Sequence, residues 1–271
     1  MIQDAWLTRH PYLSSVADFD AQVATAAASI PSGIVNVPTW RDYTADYRAG
    51  IPLLRSSHVA IDLEPAGAIL VSLVENLASI RLPEKLAAQC QDLKMQLRSD
   101  MNAPRRAVGW LLESADFKTG HPGLLRYLGW TALARFLTPL VDAFGSWRDE
   151  EHWLRGYCPI CGSPPAMAQL VGIDPGRLRL LSCGCCSMRW RFRRTGCPFC
   201  ETPDDHRLSA LAIEGEKYLR IDFCQSCHAY LKTYNGEGSE PLYLADWTSL
   251  HLDIIARDRG LKRLANSLYE L

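Results

Sequence analysis

The chain has 271 residues, 48% of them hydrophobic and 22% charged, with a formal net charge of -1. That is enough for one large domain or two modest ones with a sizeable core, and so small a charge gives no global attraction to nucleic acid or an anionic membrane. No run approaches the roughly eighteen apolar residues of a membrane helix, and the opening MIQDAWLTRHPYLSS carries Asp4 and lacks an apolar signal core, so a cytoplasmic location is expected.

The first 150 residues read as helical. EPAGAILVSLVENLASI sets Ile69, Leu70, Leu73, Val74 and Leu77 at helical spacing, with Pro65 in the first turn. PEKLAAQCQDLKMQLRSD follows with Leu86, Cys90, Leu93 and Leu97 on one stripe, which makes Cys90 a small core residue. In GLLRYLGWTALARFLTPLVDAF the stripe is Leu124, Leu125, Leu128, Leu133, Phe136, Leu137 and Leu140, and Pro139 is expected to bend or end the helix. IPSGIVNVPTW and RSDMNAPRR are loops by composition. Trp40, Trp110 and Trp130 read as packing residues, and His58 and His121 as isolated histidines rather than ligands. No catalytic constellation is visible in this half.

From Trp153 to Tyr234 the texture changes to short alternating segments between turns. RLRLLSC and KYLRIDFC read as strands running into a CxxC, and MRWRFRR alternates strictly, with Arg189, Arg191 and Arg193 on one face and Trp190 and Phe192 on the other. The final stretch, DWTSLHLDIIARDRGLKRLANSLYEL, returns to helical spacing through Leu250, Ile254, Ile255, Leu261, Leu264 and Leu268, which would let it pack back on the helices.

Of the ten cysteines, nine lie between Cys158 and Cys227. Eight form four CxxC pairs: Cys158/Cys161, Cys183/Cys186, Cys197/Cys200 and Cys224/Cys227. The phrase that opens the series, YCPICGSPP, returns about forty residues later as GCPFCETPD, so the region is an internal duplication. Two residues between cysteines let both sulfurs of a tight turn converge on one ion, with backbone N–H groups aimed at the thiolates. Proline stiffens the turn, and Gly162 supplies a permissive backbone. Two such knuckles make a tetrahedral four-thiolate site for zinc or for a single iron. Units of about forty residues also need such a staple, because they bury too little surface to fold unaided.

Three other readings compete. A dithiol oxidoreductase would need CPxC to open a helix, and no helical pattern follows either one. Cross-brace pairing, first knuckle with third, is less consistent with a duplication than sequential pairing. In CGCC, register with CQSC selects Cys183 and Cys186 and leaves Cys185 spare. A strip of Arg177, Arg179, Arg189, Arg191, Arg193 and Arg194 contains no acid between residues 177 and 194. It would balance the net -2 of a divalent ion with four thiolates, dock a protein, or grip nucleic acid, and a zinc-ribbon nucleic-acid binder is the alternative function.

A helical half followed by YCPICGSPP, LRLLSCGCCSMRWRFRRTGCPFC and CQSCHAYLKT resembles the formate dehydrogenase accessory protein family, FdhE. The resemblance implies a cytoplasmic, non-enzymatic maturation factor for respiratory formate dehydrogenase, binding its molybdenum-containing catalytic subunit. It also implies rubredoxin-like modules with iron, zinc being the alternative, in two sites: Cys158, Cys161, Cys183 and Cys186, and Cys197, Cys200, Cys224 and Cys227. Cys185 departs from the family pattern. The expected fold class is α+β. A helical domain spans 1–152, the first four-cysteine module 153–196, the second 197–235, and a C-terminal helical segment packing back on the helical domain 236–271.

Overall fold

The computed structural model describes residues 2–33, 35–147, 152–173, 176–202 and 205–269. The N-terminal half is helical: α1 (Ile2–Arg9), α2 (Ser14–Ala28), α3 (Trp40–Ala49), α4 (Glu64–Ser79), α5 (Glu84–Leu97), α6 (Ala103–Leu111) and α7 (Pro122–Trp147). Helix α4 is the hub, packed on α2, α5, α6 and α7 through Leu70, Leu73, Val74 and Leu77, all fully buried. Cys90 is buried in the same core, Trp130 is buried, and Trp40 and Trp110 are half-buried at its edge. Pro139 does not end its helix. The α7 helix runs on to Trp147, because Phe136, Leu137, Leu140 and Phe144 hold both sides of the missing N–H in the core. His58 and His121 are each held by a carboxylate, Asp46 at 2.9 Å and Asp92 at 3.2 Å. No helix among the described residues is long and apolar enough to cross a membrane.

The cysteine-rich region contributes β1 (Met167–Val171), β2 (Leu178–Ser182), β3 (Arg189–Phe192), β4 (Leu208–Ala212), β5 (Leu219–Cys224) and β6 (Tyr230–Asn235). Each unit is an antiparallel three-stranded meander, and the two join edge to edge in one sheet of order β3-β2-β1-β6-β5-β4. The seam is the parallel pairing of β1 with β6, Met167 opposite Lys232. Equivalent strands therefore run the same way in both units, as a head-to-tail placement of duplicated units requires. A second contact closes the seam. Gly156, just before the first knuckle, lies so near the second unit that a Cβ would stand 1.7 Å from the Pro198 carbonyl oxygen, leaving room only for glycine.

The two units meet the helices differently. The first shares the helical core: Cys158, Ile160, Cys161, Trp190 and Phe192 belong to one apolar cluster with Leu70, Leu133 and Phe144. Its first knuckle is also tied down by hydrogen bonds. Leu53 and Leu54 N–H donate to the carbonyls of Pro159 and Ile160 at 2.8 and 2.9 Å, and the Tyr157 hydroxyl donates to the Gly50 carbonyl at 2.8 Å. The second unit packs instead on a smaller cluster, in which Leu219, Ile221, Tyr230 and Tyr234 meet Trp6 of α1 and residues of the C-terminal helices α8 (Glu240–Tyr243) and α9 (Leu250–Asp258).

Helical spacing beyond Asp258 is not realised as helix. The chain turns at Gly260, where Leu261 N–H returns to the Ala256 carbonyl at 3.0 Å. Lys262 then bridges to Ala229 in parallel fashion, its N–H reaching the His228 carbonyl at 2.7 Å. Leu264 is consequently 47% exposed. The strand edge offered a hydrogen-bonded alternative that periodicity alone does not register. The tail ends against the helices, with the hydroxyls of Tyr269 and Tyr127 both on Asp20 Oδ1, at 2.9 and 2.8 Å.

Candidate metal centres

All four knuckles have one geometry. The N–H of the first cysteine donates to the carbonyl five residues on: Cys158 to Ser163, Cys183 to Met188, Cys197 to Thr202 and Cys224 to Ala229, at 2.9 to 3.2 Å. The residue after the second cysteine takes a left-handed backbone in every case: Gly162 (φ +79°), Ser187 (+62°), Glu201 (+56°) and His228 (+59°). Only the first of these is glycine. A left-handed L-residue costs roughly 1–2 kcal/mol, so replacing the exposed Glu201 with glycine should raise stability by about 1 kcal/mol. Gly162→Ala should lower it by at least that much, because its Cβ would also stand 3.2 Å from Pro52 Cγ. Chemical denaturation midpoints of the two variants, moving in opposite directions, check this.

The knuckles close sequentially into two clusters, Cys158, Cys161, Cys183 and Cys186, and Cys197, Cys200, Cys224 and Cys227, with each set of sulfurs within 4.8 Å of one another. Cys158 Sγ lies 3.5 Å from Cys186 Sγ, and Cys161 Sγ 3.5 Å from Cys183 Sγ. In the second cluster Cys197 and Cys227 are 3.7 Å apart, Cys200 and Cys224 3.8 Å. Metal–sulfur bonds of about 2.3 Å at tetrahedral angles place sulfurs about 3.8 Å apart, so both clusters could each hold one ion. Cross-bracing is not what the fold does. Cys186, not Cys185, faces the cluster, and Cys185 is buried beside it with its thiol pushed well up in pKa, first by the neighbouring Cys183 and then by burial. A buried, protonated thiol of that kind is inert.

Electrostatics favour an ion in each cluster. Hydrogen bonds from the surrounding thiols hold Cys183 well below its ordinary pKa, and the N–H groups of Cys185 and Cys186 point at its sulfur from 3.4 and 3.5 Å. Burial drives Cys158 well up. In the second cluster burial pushes the Cys224 thiol up, but N–H groups of Cys227 and Ser226 and the thiols of Cys200 and Cys227 bring it down to about 7. Crowded thiols thus share few negative charges until a cation binds and displaces their protons. The clusters differ in exposure. The first is wholly buried, whereas in the second Cys200 is exposed and Cys227 half-exposed.

The arginines do not form one face. Trp190 and Phe192 are buried and Arg189 and Arg191 lie opposite them, as alternation requires. Arg189, however, is hydrogen-bonded to Gln169 and Arg177 to Asn235. Arg179 is buried, donating to the Gly196 carbonyl at 3.0 Å next to Cys197. With Arg179 buried and Arg177 and Arg189 half-buried and held by side-chain partners, the nucleic-acid alternative has no continuous basic surface to rest on.

A third convergence of ligand-type side chains, His10, Glu216 and His251, has no signature in the sequence because its members lie more than two hundred residues apart at the extremes. No local spacing could have revealed it.

No family model matches the chain. Among curated proteins it is 29% identical over 133 residues to an FdhE homologue of Aquifex aeolicus, covering 47% of either chain. It is 40% identical over 121 residues to one of Pseudomonas putida (41% of this chain, 37% of the relative). A homologue of Pseudomonas aeruginosa matches at 34% over 187 residues (64% and 58%). These matches span about half the length of the relatives. The crystal structure of the FdhE protein from Pseudomonas aeruginosa shares the fold, with a TM-score of 0.64 and 23% identity over 95% of this chain and 88% of that one. The paired cysteine knuckles and the α+β architecture agree with these likenesses: the chain is similar to FdhE proteins in sequence and shares their fold.

Proposed function

We propose that the chain is a cytoplasmic, non-enzymatic maturation factor for a respiratory formate dehydrogenase, acting on that enzyme's catalytic subunit. In this reading Cys158, Cys161, Cys183 and Cys186 hold one metal ion and Cys197, Cys200, Cys224 and Cys227 a second, with iron the expected metal. The observation that carries it is the pair of four-sulfur clusters in a chain similar to FdhE proteins. The metals staple each meander, and the sheet they stabilise presents the surface that the partner meets.

Exposure supports a division of labour. The buried first cluster welds the sheet to the helices. The second opens to solvent at Cys200, beside a cleft of about 150 Å³ lined by Arg179, Arg194, Phe199, Arg220 and Asp222. A partner, or an electron passing to or from one, would meet the second cluster first.

The test is anaerobic capture of the tagged protein from its host at moderate salt, with mass spectrometry of what co-purifies. The expected result is the formate dehydrogenase catalytic subunit, still unprocessed, bound to a red protein, since ferric four-thiolate sites are coloured and zinc sites are not. Recovery of nucleic acid or ribosomal proteins without that subunit would overturn the maturation role.

A further inference from the structure

The ring of His10 follows α1, Glu216 sits in the turn between β4 and β5, and His251 lies in the first turn of α9. Their polar atoms converge. Glu216 Oε1 is 3.1 Å from His10 Nε2 and 2.9 Å from His251 Nε2, and all three ligand atoms lie within 4.8 Å of one another. The side chains are 12%, 4% and 14% exposed respectively, so the group is largely withdrawn from water. The two imidazoles stack at 4.8 Å with an interplanar angle of 25°, and the Trp6 ring covers His10 at 4.2 Å.

Hydrogen bonding alone accounts for only part of this. His251 Nε2 is within hydrogen-bonding reach of the carboxylate. His10 Nε2 is fully buried and, though 3.1 Å from the same oxygen, does not meet it in hydrogen-bond geometry. Its other nitrogen, Nδ1, is held 2.8 Å from the Tyr12 hydroxyl, the kind of outer partner that fixes the ring of a metal-bound histidine. Zinc bonds of about 2.0–2.2 Å at tetrahedral angles put neighbouring N and O ligands about 3.3–3.6 Å apart, so the two Glu216 distances, 3.1 and 2.9 Å, need to open by only about half an ångström to take an ion.

We infer that His10, Glu216 and His251 form a third metal site, for a divalent borderline transition ion of the zinc type, with water completing its coordination. Two imidazoles and one carboxylate are a donor set for zinc or ferrous iron, and unlike the cysteine clusters the set contains no thiolate. The ion would clamp the N-terminal helix to the second unit and α9, elements that otherwise meet through the apolar contacts of Trp6. This site does not depend on the maturation role.

Cobalt(II) tests it, because its visible d–d absorption reports a nitrogen–oxygen site without the near-ultraviolet charge transfer that thiolates add. The full chain, with both cysteine clusters filled with zinc, is titrated with cobalt(II). The expected result is one saturable equivalent, d–d bands without thiolate charge transfer, and loss of the saturable signal in Glu216→Gln and in His251→Asn. Each variant is also checked for native circular dichroism and two retained zinc ions. Glu216→Gln keeps the shape of the side chain and its hydrogen-bonding oxygen, so a merely structural role would survive it. No saturable band in the parent protein, equal uptake by a folded Glu216→Gln, or bands carrying thiolate charge transfer would each overturn the site.

Discussion

Replacing Cys158 and Cys161 together with serine is expected to unfold the helical half as well as the first unit, whereas the same change at Cys197 and Cys200 should melt the second unit and spare most of the helices. A structural four-thiolate metal is worth roughly 10–16 kcal/mol of folding free energy, comparable to a whole domain's usual net stability. The asymmetry comes from where each cluster lies. Cys158, Cys161, Cys183 and Cys186 are part of the core that contains Leu70, Leu133 and Phe144, and the Pro159 and Ile160 carbonyls anchor the loop after α3. None of the second cluster's cysteines is in that core. Limited proteolysis with mass spectrometry checks this: a protected helical fragment is expected from the second variant and none from the first. A competing chelator should likewise empty the second cluster faster, because Cys200 is exposed while every sulfur of the first is buried. Equal rates of loss would contradict the assignment of the buried cluster as the structural one.

Substituting Lys232 is the second large effect. This β6 lysine is 1% exposed, and its ammonium donates to Asp246 Oδ1 at 2.6 Å and Asp253 Oδ2 at 2.8 Å, with the Asp246 carbonyl at 3.2 Å. Arg263 faces the same two carboxylates, at 2.9 Å from Asp246 Oδ2 and 2.8 Å from Asp253 Oδ1, and the Tyr230 hydroxyl donates to Asp253 at 2.6 Å. Two cations thus balance two anions out of water, fastening the C-terminal segment to the sheet. Lys232→Met leaves an uncompensated carboxylate and should cost about 3–5 kcal/mol. Adding Asp253→Asn restores neutrality, so the double variant should lose clearly less than the sum of the single losses. Additive losses in a double-mutant cycle would mean that the network is not coupled.

The same network sets a pH dependence. Burial is the largest influence on Asp246 and would raise its pKa, but Lys232 and Arg263 together outweigh it and hold the group below its ordinary value. A folded pKa depressed in this way contributes stability that is complete above the unfolded value of about 3.9 and is lost as pH falls through the folded one. Thermal midpoints should therefore fall on the acid side of about pH 4, and Asp246→Asn should flatten that part of the profile.

The sequence by itself determined what depends on neighbours along the chain. Alternation placed Trp190 and Phe192 inside and Arg189 and Arg191 outside, helical spacing located α4, α5 and α7, and the duplicated spacing of the four CxxC pairs grouped eight cysteines into two sets of four. The cause is geometric, since a knuckle is a single tight turn and its sulfurs are brought together locally. What depends on contacts between distant segments was decided only by the tertiary structure. Parallel pairing of β1 with β6 merges the duplicated units into one sheet, and packing against α3 and α7 buries one cluster while leaving the other open. The arginine strip disperses because Arg179 is buried with its guanidinium on the Gly196 carbonyl, and the residues after Asp258 leave the helix because a strand edge satisfies their backbone. His10, Glu216 and His251 share no period or motif, and they meet only because Trp6 carries the first helix onto the far unit.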